Sequence, residues 1–325
     1  MSDVGLFGPG SVSWKIHDEP IMWLAGLRSL YLQALHPQAM AGVAQNSDYR
    51  RDPWDRLIRT SRYIGTVIYG TTEQARAAGA RVRRVHARLR AIDPRTGEFL
   101  RVDEPRLLRW VHVTEVESFL TTAVRAGIAL TAAEIDRYYD EQRRAAELVG
   151  LDPATVPGTA VEIAAYYEGI RPELVLTRDS ADAALFLTAP PLPFRLGLTP
   201  VRLAYGGIAA LAVGLLPPWA RRLYGLPGLP TTDLSAGLST WALRRLLTVL
   251  PHRLYESPIY RAAMSRAAMS RSGTAVTGAT RRATPNDGDS ATMTSARTAG
   301  TANAQRRLAP FATAPISAAP ATKPT

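Results

Sequence analysis

Apolar positions recur every three to four residues along most of the first 263 residues, and no segment shows the alternation that is typical of a strand. Pro20, Pro53 and Pro105 stand at helix-start positions, and Thr131 with Glu134 forms a capping box. The predicted helices span roughly residues 20–36, 53–69, 72–92, 105–124, 131–150, 161–170, 180–189, 200–216, 218–224, 233–250 and 256–269, with a turn at 93–98. The pattern therefore predicts an all-α protein.

The composition changes near residue 264. From there Ala, Thr, Ser, Gly and Arg dominate, and so few large apolar residues remain that burial cannot offset the entropy of ordering the chain. We expect three parts: an N-terminal segment, residues 1–19; a single helical domain, residues 20–263; and a disordered tail, residues 264–325. The local repeat RAAMSRAAMSR leads into this tail.

The net charge of +11 would suit a nucleic-acid partner, but its location argues against one. The tail carries +6 of this charge, and no recognition-helix or zinc-finger pattern accompanies the rest, so we expect no specific nucleic acid. Lys15 and Lys323 are the only lysines. The cations are therefore almost all arginines, which pair with carboxylates in a fork geometry.

The chain contains no cysteine, which excludes disulfides, thiolate zinc sites, iron–sulfur clusters and thiolate-ligated haem. Any metal must be bound by His, Asp, Glu, Tyr or Met. No histidine has a glutamate three positions before it, which excludes a ferritin-like di-iron site. His17 and Glu19 have a local spacing that suits non-haem iron, but they stand beside Pro20 in a predicted loop.

The N-terminus has no secretory signal pattern, which favours a cytoplasmic protein. The most continuous apolar run, residues 203–216, is shorter than the about 20 residues that a membrane span needs. Two interpretations of this run stay open: a buried helix, or a helix that dips into a membrane surface.

Two histidines lie in apolar helical segments. His86 is either a structural residue on an apolar helix edge or a metal ligand, and the small residues 78–80 would let a flat group approach the backbone. His112 precedes Glu115 by three positions. Two interpretations stay open: the carboxylate orients the imidazole, or the two side chains form an ordinary pair on a helix surface. We expect His36 to cap the end of the first helix.

The stretch RLIRTSRYIG, residues 56–65, places Arg56 with Thr60, and Arg59 with Tyr63, on shared helix faces. Two guanidinium groups, a hydroxyl and a phenol around one helix could bind an anion or stabilise an oxygen intermediate. The alternative is a solvated helix face.

Taken in order, GPGSVSW, LHPQAMAGVAQNSDYRRDPWDRLIRTSRYIG, VRRVHARL and LRWVHVTEVESF resemble the latex-clearing protein (rubber oxygenase) and MpaB-type oxygenase family. The likeness extends from Gly8 to near residue 250. It implies an all-α domain that encloses a haem b pocket, with His86 as the axial iron ligand and Arg56 and Thr60 as polar residues beside the haem. The candidate catalytic residues are Arg56, Arg59 and Thr60, and the candidate cofactor-binding residues are His86, Arg56, His112 and Tyr63.

The resemblance implies a haem-dependent oxygenase that uses O₂ on an apolar, isoprenoid or lipid-like substrate, with alkene cleavage as the reaction of characterised members. The rubber-cleaving branch has a lysine where this chain has Arg59, and a guanidinium is a poor metal ligand because it stays protonated. We therefore expect the sixth iron position to be open or to hold water. Two rival hypotheses are a non-enzymatic helical lipid-binding module and a membrane-surface protein that uses residues 203–216 and the arginine-rich tail. The oligomeric state stays open.

Overall fold

Two helices that are apolar on most faces form the centre of the molecule. In a computed structural model, which describes residues 3–47, 53–190, 200–249, 251 and 257–280, helix α2 (Met22–Ala34) packs along helix α6 (Pro105–Arg125). Tyr31 of α2 and Trp110 of α6 are fully buried in the main core. Burial on most sides explains why neither helix has a continuous polar face.

The remaining elements of the described chain are α1 (Val12–His17), α3 (Pro37–Asn46), α4 (Pro53–Tyr69), α5 (Thr72–His86), β1 (Arg90–Ile92), β2 (Phe99–Arg101), α7 (Ala132–Leu148), α8 (Ala160–Ile170), α9 (Arg178–Thr188), α10 (Pro200–Gly214), α11 (Pro218–Leu223), α12 (Pro230–Val249) and α13 (Pro258–Thr280), with 3-10 turns at Pro153–Thr155 and Arg171–Glu173. Several of these helices surround the central pair. Helices α3, α9 and α10 pack on α2, α12 packs on α6, and α4 lies against α5, α1 and α13. The predicted all-α fold is confirmed.

A buried ion pair fixes α2 against α6. The two terminal nitrogens of Arg28 donate to the two carboxylate oxygens of Glu117 at 2.6 and 3.1 Å, and its Nε donates to the carbonyl of Leu215 at 2.9 Å. The hydroxyl of Tyr167 in α8 donates to the same carboxylate at 3.2 Å. Because both charges have several partners, the pair links α2, α6, α8 and the end of α10 without leaving a buried charge unsatisfied.

The segment predicted as one helix over residues 20–36 ends two residues earlier, and Pro37 opens the next helix. His36 stands at the N-cap of α3, where its Nδ1 accepts a hydrogen bond from the amide of Ala39 at 3.4 Å. The expectation that His36 caps the end of the preceding helix was therefore wrong. Its side chain satisfies a free amide of the helix that follows.

Helix α5 is shorter than predicted, and a hairpin follows it. Thr71, rather than Thr72, is the N-cap and forms a capping box with Gln74, and the helix ends at His86 rather than near residue 92. Strands β1 and β2 pair antiparallel around the predicted turn at 93–98. Only the central residue of each strand is buried, so the alternation is too short to be seen in the sequence.

The described chain is ordered beyond both predicted limits of the helical domain. Helix α1 lies within residues 1–19 and buries Trp14 and Ile16. Helix α13 crosses residue 264, where a disordered tail was expected to begin, and it buries Ala263 and Ala267 in a cluster with residues of α1 and α4. Alanines one turn apart let the helices approach closely. Because large apolar residues are scarce after residue 264, the sequence did not indicate this packing. The rest of the predicted tail, residues 281–325, lies outside the described residues.

No helix among the residues that the structure describes is long and apolar enough to cross a membrane. Within the apolar run 203–216, Ala209, Ala212, Leu215 and Leu216 are buried in the main core. The structure therefore supports the buried-helix interpretation at these four positions, whereas Leu203 at the start of the run is exposed.

Candidate functional site

A cavity of about 770 Å³, its open mouth included, lies between α2, α3, α4, α6, α9 and α10. Its wall is mainly apolar, and residues on five of these helices form much of it: Leu30, Met40, Leu57, Val111, Phe186 and Leu187. Gln33, Arg56, Thr60 and Tyr205 add the polar groups. A few polar groups in a mainly apolar cavity are typical of a site for a small apolar molecule.

Arg56 and Thr60 reach this cavity from α4. They lie one turn apart on the same helix face, and the hydroxyl of Thr60 donates to the backbone carbonyl of Arg56 at 3.0 Å. Leu57 lines the cavity beside them. The structure thus brings together the two residues that the sequence pattern placed on one face.

Arg59 points away from the cavity. Its Nε lies 3.0 Å from a carboxylate oxygen of Asp55 one turn earlier, and 69% of its side-chain surface is exposed. This position corresponds to the solvated helix face that was left open for the stretch 56–65. The geometry does not support a catalytic role for Arg59.

Further along the same two helices, three polar side chains follow the cavity wall. Tyr63 lies one turn after Thr60 on α4, and His112 and Glu115 follow Val111 on α6. His112 and Glu115 lie deep inside the protein, yet both keep part of their surface accessible. The structure places Tyr63, His112 and Glu115 next to the cavity wall along the chain, but not among the residues that line the cavity.

Burial changes the protonation of these groups. It raises the pKa of Glu115 to about 7 and lowers the pKa of His112 to about 4. It also raises the pKa of Tyr63 well above its ordinary range, with a smaller contribution from the nearby Glu115 carboxylate. Near pH 7, His112 is neutral and Tyr63 keeps its proton. No hydrogen bond joins His112 to Glu115 in the described chain, so the predicted pairing of these two side chains is not formed.

Helices α1 and α7 both pack on α6. The ring of His17 lies 4.3 Å from that of Phe119, one turn after Glu115, and the hydroxyl of Tyr138 lies 3.5 Å from Nε2 of His17. Burial lowers the pKa of His17 to about 3. A loop was predicted at His17, so its contact with Phe119 was not anticipated, although the apolar spacing of VSWKI before it indicates a helix. Glu19 is bound to Arg244 at 2.6 and 2.7 Å and not to His17, so the local non-haem pair is not formed.

His86 stands at the C-terminal end of α5, outside the lining of the cavity. Its Nδ1 is buried and has no hydrogen-bond partner. Burial lowers the pKa of His86, while Asp103 acts in the opposite direction. A neutral imidazole with an unpartnered buried nitrogen has the chemical form of an iron ligand, so the residue fits the axial role implied for it.

The small residues before His86 have a different role from the one expected. A Cβ on Gly79 would lie 2.5 Å from the carbonyl oxygen of Leu148 at the end of α7. The close approach to this backbone is therefore made by a helix of the same chain, and the expectation that a flat group lies there was wrong.

A protein-family model described as ER-bound oxygenase mpaB/B'/Rubber oxygenase, catalytic domain, matches residues 14–251. The chain belongs to this family. The match runs from α1 to the residues just after α12, so this mpaB/rubber oxygenase catalytic domain contains the cavity, its polar wall and His86. The match begins at residue 14, inside the N-terminal segment 1–19 that was predicted to precede the helical domain. No curated protein and no solved structure matches the chain at a significant level.

Proposed function

We propose that this protein is a haem b-dependent oxygenase that acts with O₂ on a small apolar substrate of isoprenoid or lipid-like character. The observation that supports it most is the apolar cavity with Arg56 and Thr60 in its wall, in a chain that belongs to the mpaB/rubber oxygenase family. Alkene cleavage is the specific reaction that we propose. It is supported by the resemblance to the rubber-cleaving members.

The residues that would hold the haem are His86 as the iron ligand and Arg56 as the partner of a propionate. When bound, the haem supplies the redox chemistry by which O₂ reacts with a hydrocarbon. Tyr63 follows Thr60 by one turn on α4, and His112 follows Val111 on α6. Burial makes Tyr63 a hydrogen-bond donor and His112 an uncharged group near pH 7.

The other cavity residues would bind and orient the substrate. Leu30, Met40 and Phe186 offer an apolar surface that favours a hydrocarbon and excludes water. Arg56 would orient a polar or charged group at the wall, and the hydroxyl of Thr60, held by its bond to the Arg56 carbonyl, has a fixed direction. The apolar majority of the wall implies that shape, rather than hydrogen bonding, selects the substrate.

The replacement His86→Ala tests the cofactor assignment directly. With a haem precursor supplied during expression, we expect the natural protein to carry about one haem per chain and the variant to retain less than about a tenth of it, because one axial bond anchors the iron. A pyridine haemochrome assay measures the content. Arg84→Ala, an exposed neighbour on α5, is the control and should bind haem normally. Full haem content in His86→Ala would refute the assignment.

A second property, contact with a membrane surface, is favoured by the exposed face of α12 together with Leu203, the first residue of the run 203–216. Leu234, Leu238, Leu246 and Val249 of this helix are well exposed, and Leu203 on the neighbouring α10 is 82% exposed. The guanidinium of Arg245 lies 5.5 Å from the ring of Trp241 on the same helix. Isolated exposed leucines need no explanation, but a grouped set marks an interaction surface.

The charges around this surface indicate an anionic lipid surface as its partner. Arg202 and Arg245 are exposed beside it, and the only carboxylate within residues 200–249, Asp233, is bound to Arg221 at 2.8 Å. Apolar side chains that enter the interface, with arginines at the headgroups, are the pattern of a helix that lies on a membrane. We infer peripheral membrane contact through α12.

A further inference from the structure

One wall of the cavity is an aromatic side chain that is held on two sides. Tyr205 of α10 lines the cavity, and its hydroxyl donates to the backbone carbonyl of Leu187 on α9 at 3.0 Å. Its ring lies 5.7 Å from the ring of Trp54 on α4, at an interplanar angle of 76°. Edge-to-face pairs of this kind favour one orientation of the two rings. Tyr205 therefore connects three of the helices that enclose the cavity.

The exposure of the lining residues shows where this ring lies along the cavity. Ala34, Met40 and Ala183 are buried, whereas Leu187 and Tyr205 keep part of their surface accessible. The ring of Tyr205 therefore lies on an accessible side of the cavity and not at its buried end. A side chain in this position contacts whatever enters from that side.

The ring of Tyr205 can move less easily than the other large side chains of the wall. Met40 and Leu57 also line the cavity, and flexible side chains of this kind change rotamer to fit a ligand. Tyr205 would have to give up both its contact with Trp54 and its hydrogen bond to Leu187. The Leu187 carbonyl belongs to the last turn of α9, where backbone carbonyls have no partner within the helix, so the loss of this bond is costly.

We propose that Tyr205 is the specificity-determining residue of the cavity, because its ring limits the width of the molecule that can bind. The site then takes slender, flexible apolar chains such as linear isoprenoids and excludes broad fused-ring molecules such as steroids. A flexible chain can bend around the ring, whereas a fused-ring molecule needs the volume that the ring occupies, and forcing extra volume into a packed wall is unfavourable. The choice of an apolar substrate rests on the proposed function, whereas the limit on width is a property of the wall.

Calorimetric titration of the purified full-length protein tests this limit without a haem-dependent reaction. The two probes are farnesol, a linear isoprenoid alcohol, and progesterone, a steroid. The natural protein should bind farnesol at least about tenfold more tightly than progesterone. In Tyr205→Ala, progesterone should bind more tightly than in the natural protein, and the ratio of the two affinities should shift at least about tenfold towards progesterone. Tyr205→Phe is the matched control and should keep the natural ratio, because the ring and its contact with Trp54 remain.

The variant Tyr205→Leu keeps an apolar side chain against the core and replaces Tyr205→Ala if circular dichroism shows that the alanine variant does not fold. It should shift the ratio in the same direction. Equal weakening of both probes in the smaller variants would assign Tyr205 a purely structural role and overturn the proposal. A natural protein that binds progesterone as tightly as farnesol, or that binds neither, would also overturn it. If no haem is taken up, the proposed function fails while these titrations still decide the role of Tyr205.

Discussion

Arg56 and Arg59 show how three positions along one helix separate two identical side chains. Arg56 reaches the cavity, whereas Arg59 lies in solvent with Asp55 as its partner. A surface pair of this kind contributes at most about 1 kcal/mol to stability. The same guanidinium group therefore has a candidate role in the site at one position and only a surface role at the other.

The variants Arg56→Leu and Arg59→Leu form a matched pair that tests this difference. We expect Arg56→Leu to lower O₂ consumption with an apolar alkene at least about tenfold, since one charged group in a site contributes a few kcal/mol to orienting or stabilising a ligand. Arg59→Leu should stay within about twofold and should leave the haem absorption spectrum unchanged, because the group is exposed. Turnover per bound haem is the measurement. Equal losses in both variants would contradict this assignment.

At the scale of elements, α4, α5 and α6 have distinct tasks. Helix α4 brings Arg56 and Thr60 to the cavity one turn apart, and α6 contributes Val111 to its wall. Helix α5 packs against α4 and α7 and presents His86 at its end. The site therefore depends on how closely α5 can approach α7.

The replacement Gly79→Ala tests that approach. Its Cβ would meet the Leu148 carbonyl oxygen at 2.5 Å, a backbone atom that cannot move alone, so α5 must shift. We expect a loss of about 1–3 kcal/mol in the free energy of unfolding, measured by urea denaturation. Gly169→Ala is the control, because nothing lies within 4 Å of its Cβ and alanine is the better helix former. It should be neutral or slightly stabilising, and an equal loss in both variants would argue against a tight crossing.

For the whole molecule, the mpaB/rubber oxygenase match over residues 14–251 and the main core agree on one helical unit with the site inside it. Helix α10 connects two features of this unit. Tyr205 on α10 lines the cavity, and Leu203, two residues earlier, is 82% exposed. In the proposal of peripheral membrane contact, a lipid-like substrate would enter the cavity from the membrane surface.

Flotation with lipid vesicles tests the membrane contact. We expect the natural protein to bind vesicles that contain anionic phosphatidylglycerol and to be released by salt, because arginines supply part of the attraction. Leu238→Asp should abolish this binding without unfolding the protein, since Leu238 is 65% exposed. Val161→Asp, at a position that is 79% exposed on α8, is the control and should bind as before. A dimer that Leu238→Asp dissociates would instead assign this surface to a second copy of the chain.

The sequence by itself determined most of the helices. Helix α6 begins at Pro105 and α7 follows the capping box of Thr131 and Glu134, as predicted, because helix hydrogen bonds and caps involve residues at most four positions apart. The same locality explains why the spacing of Arg56 and Thr60 placed them on one face. Predictions failed where the deciding contact was distant in sequence, as for Gly79, whose close neighbour is the carbonyl oxygen of Leu148 at the end of α7.

Only the tertiary structure decided which helix faces meet. It placed the cavity between six helices, turned Arg59 to solvent, packed Gly79 against α7 and brought His17 against Phe119. The raised pKa of Glu115 has the same origin, because the cost of burying a charge depends on every group within several ångströms and not on the neighbours in the sequence. Helical periodicity fixes the relative directions of side chains, and packing alone fixes what lies in those directions.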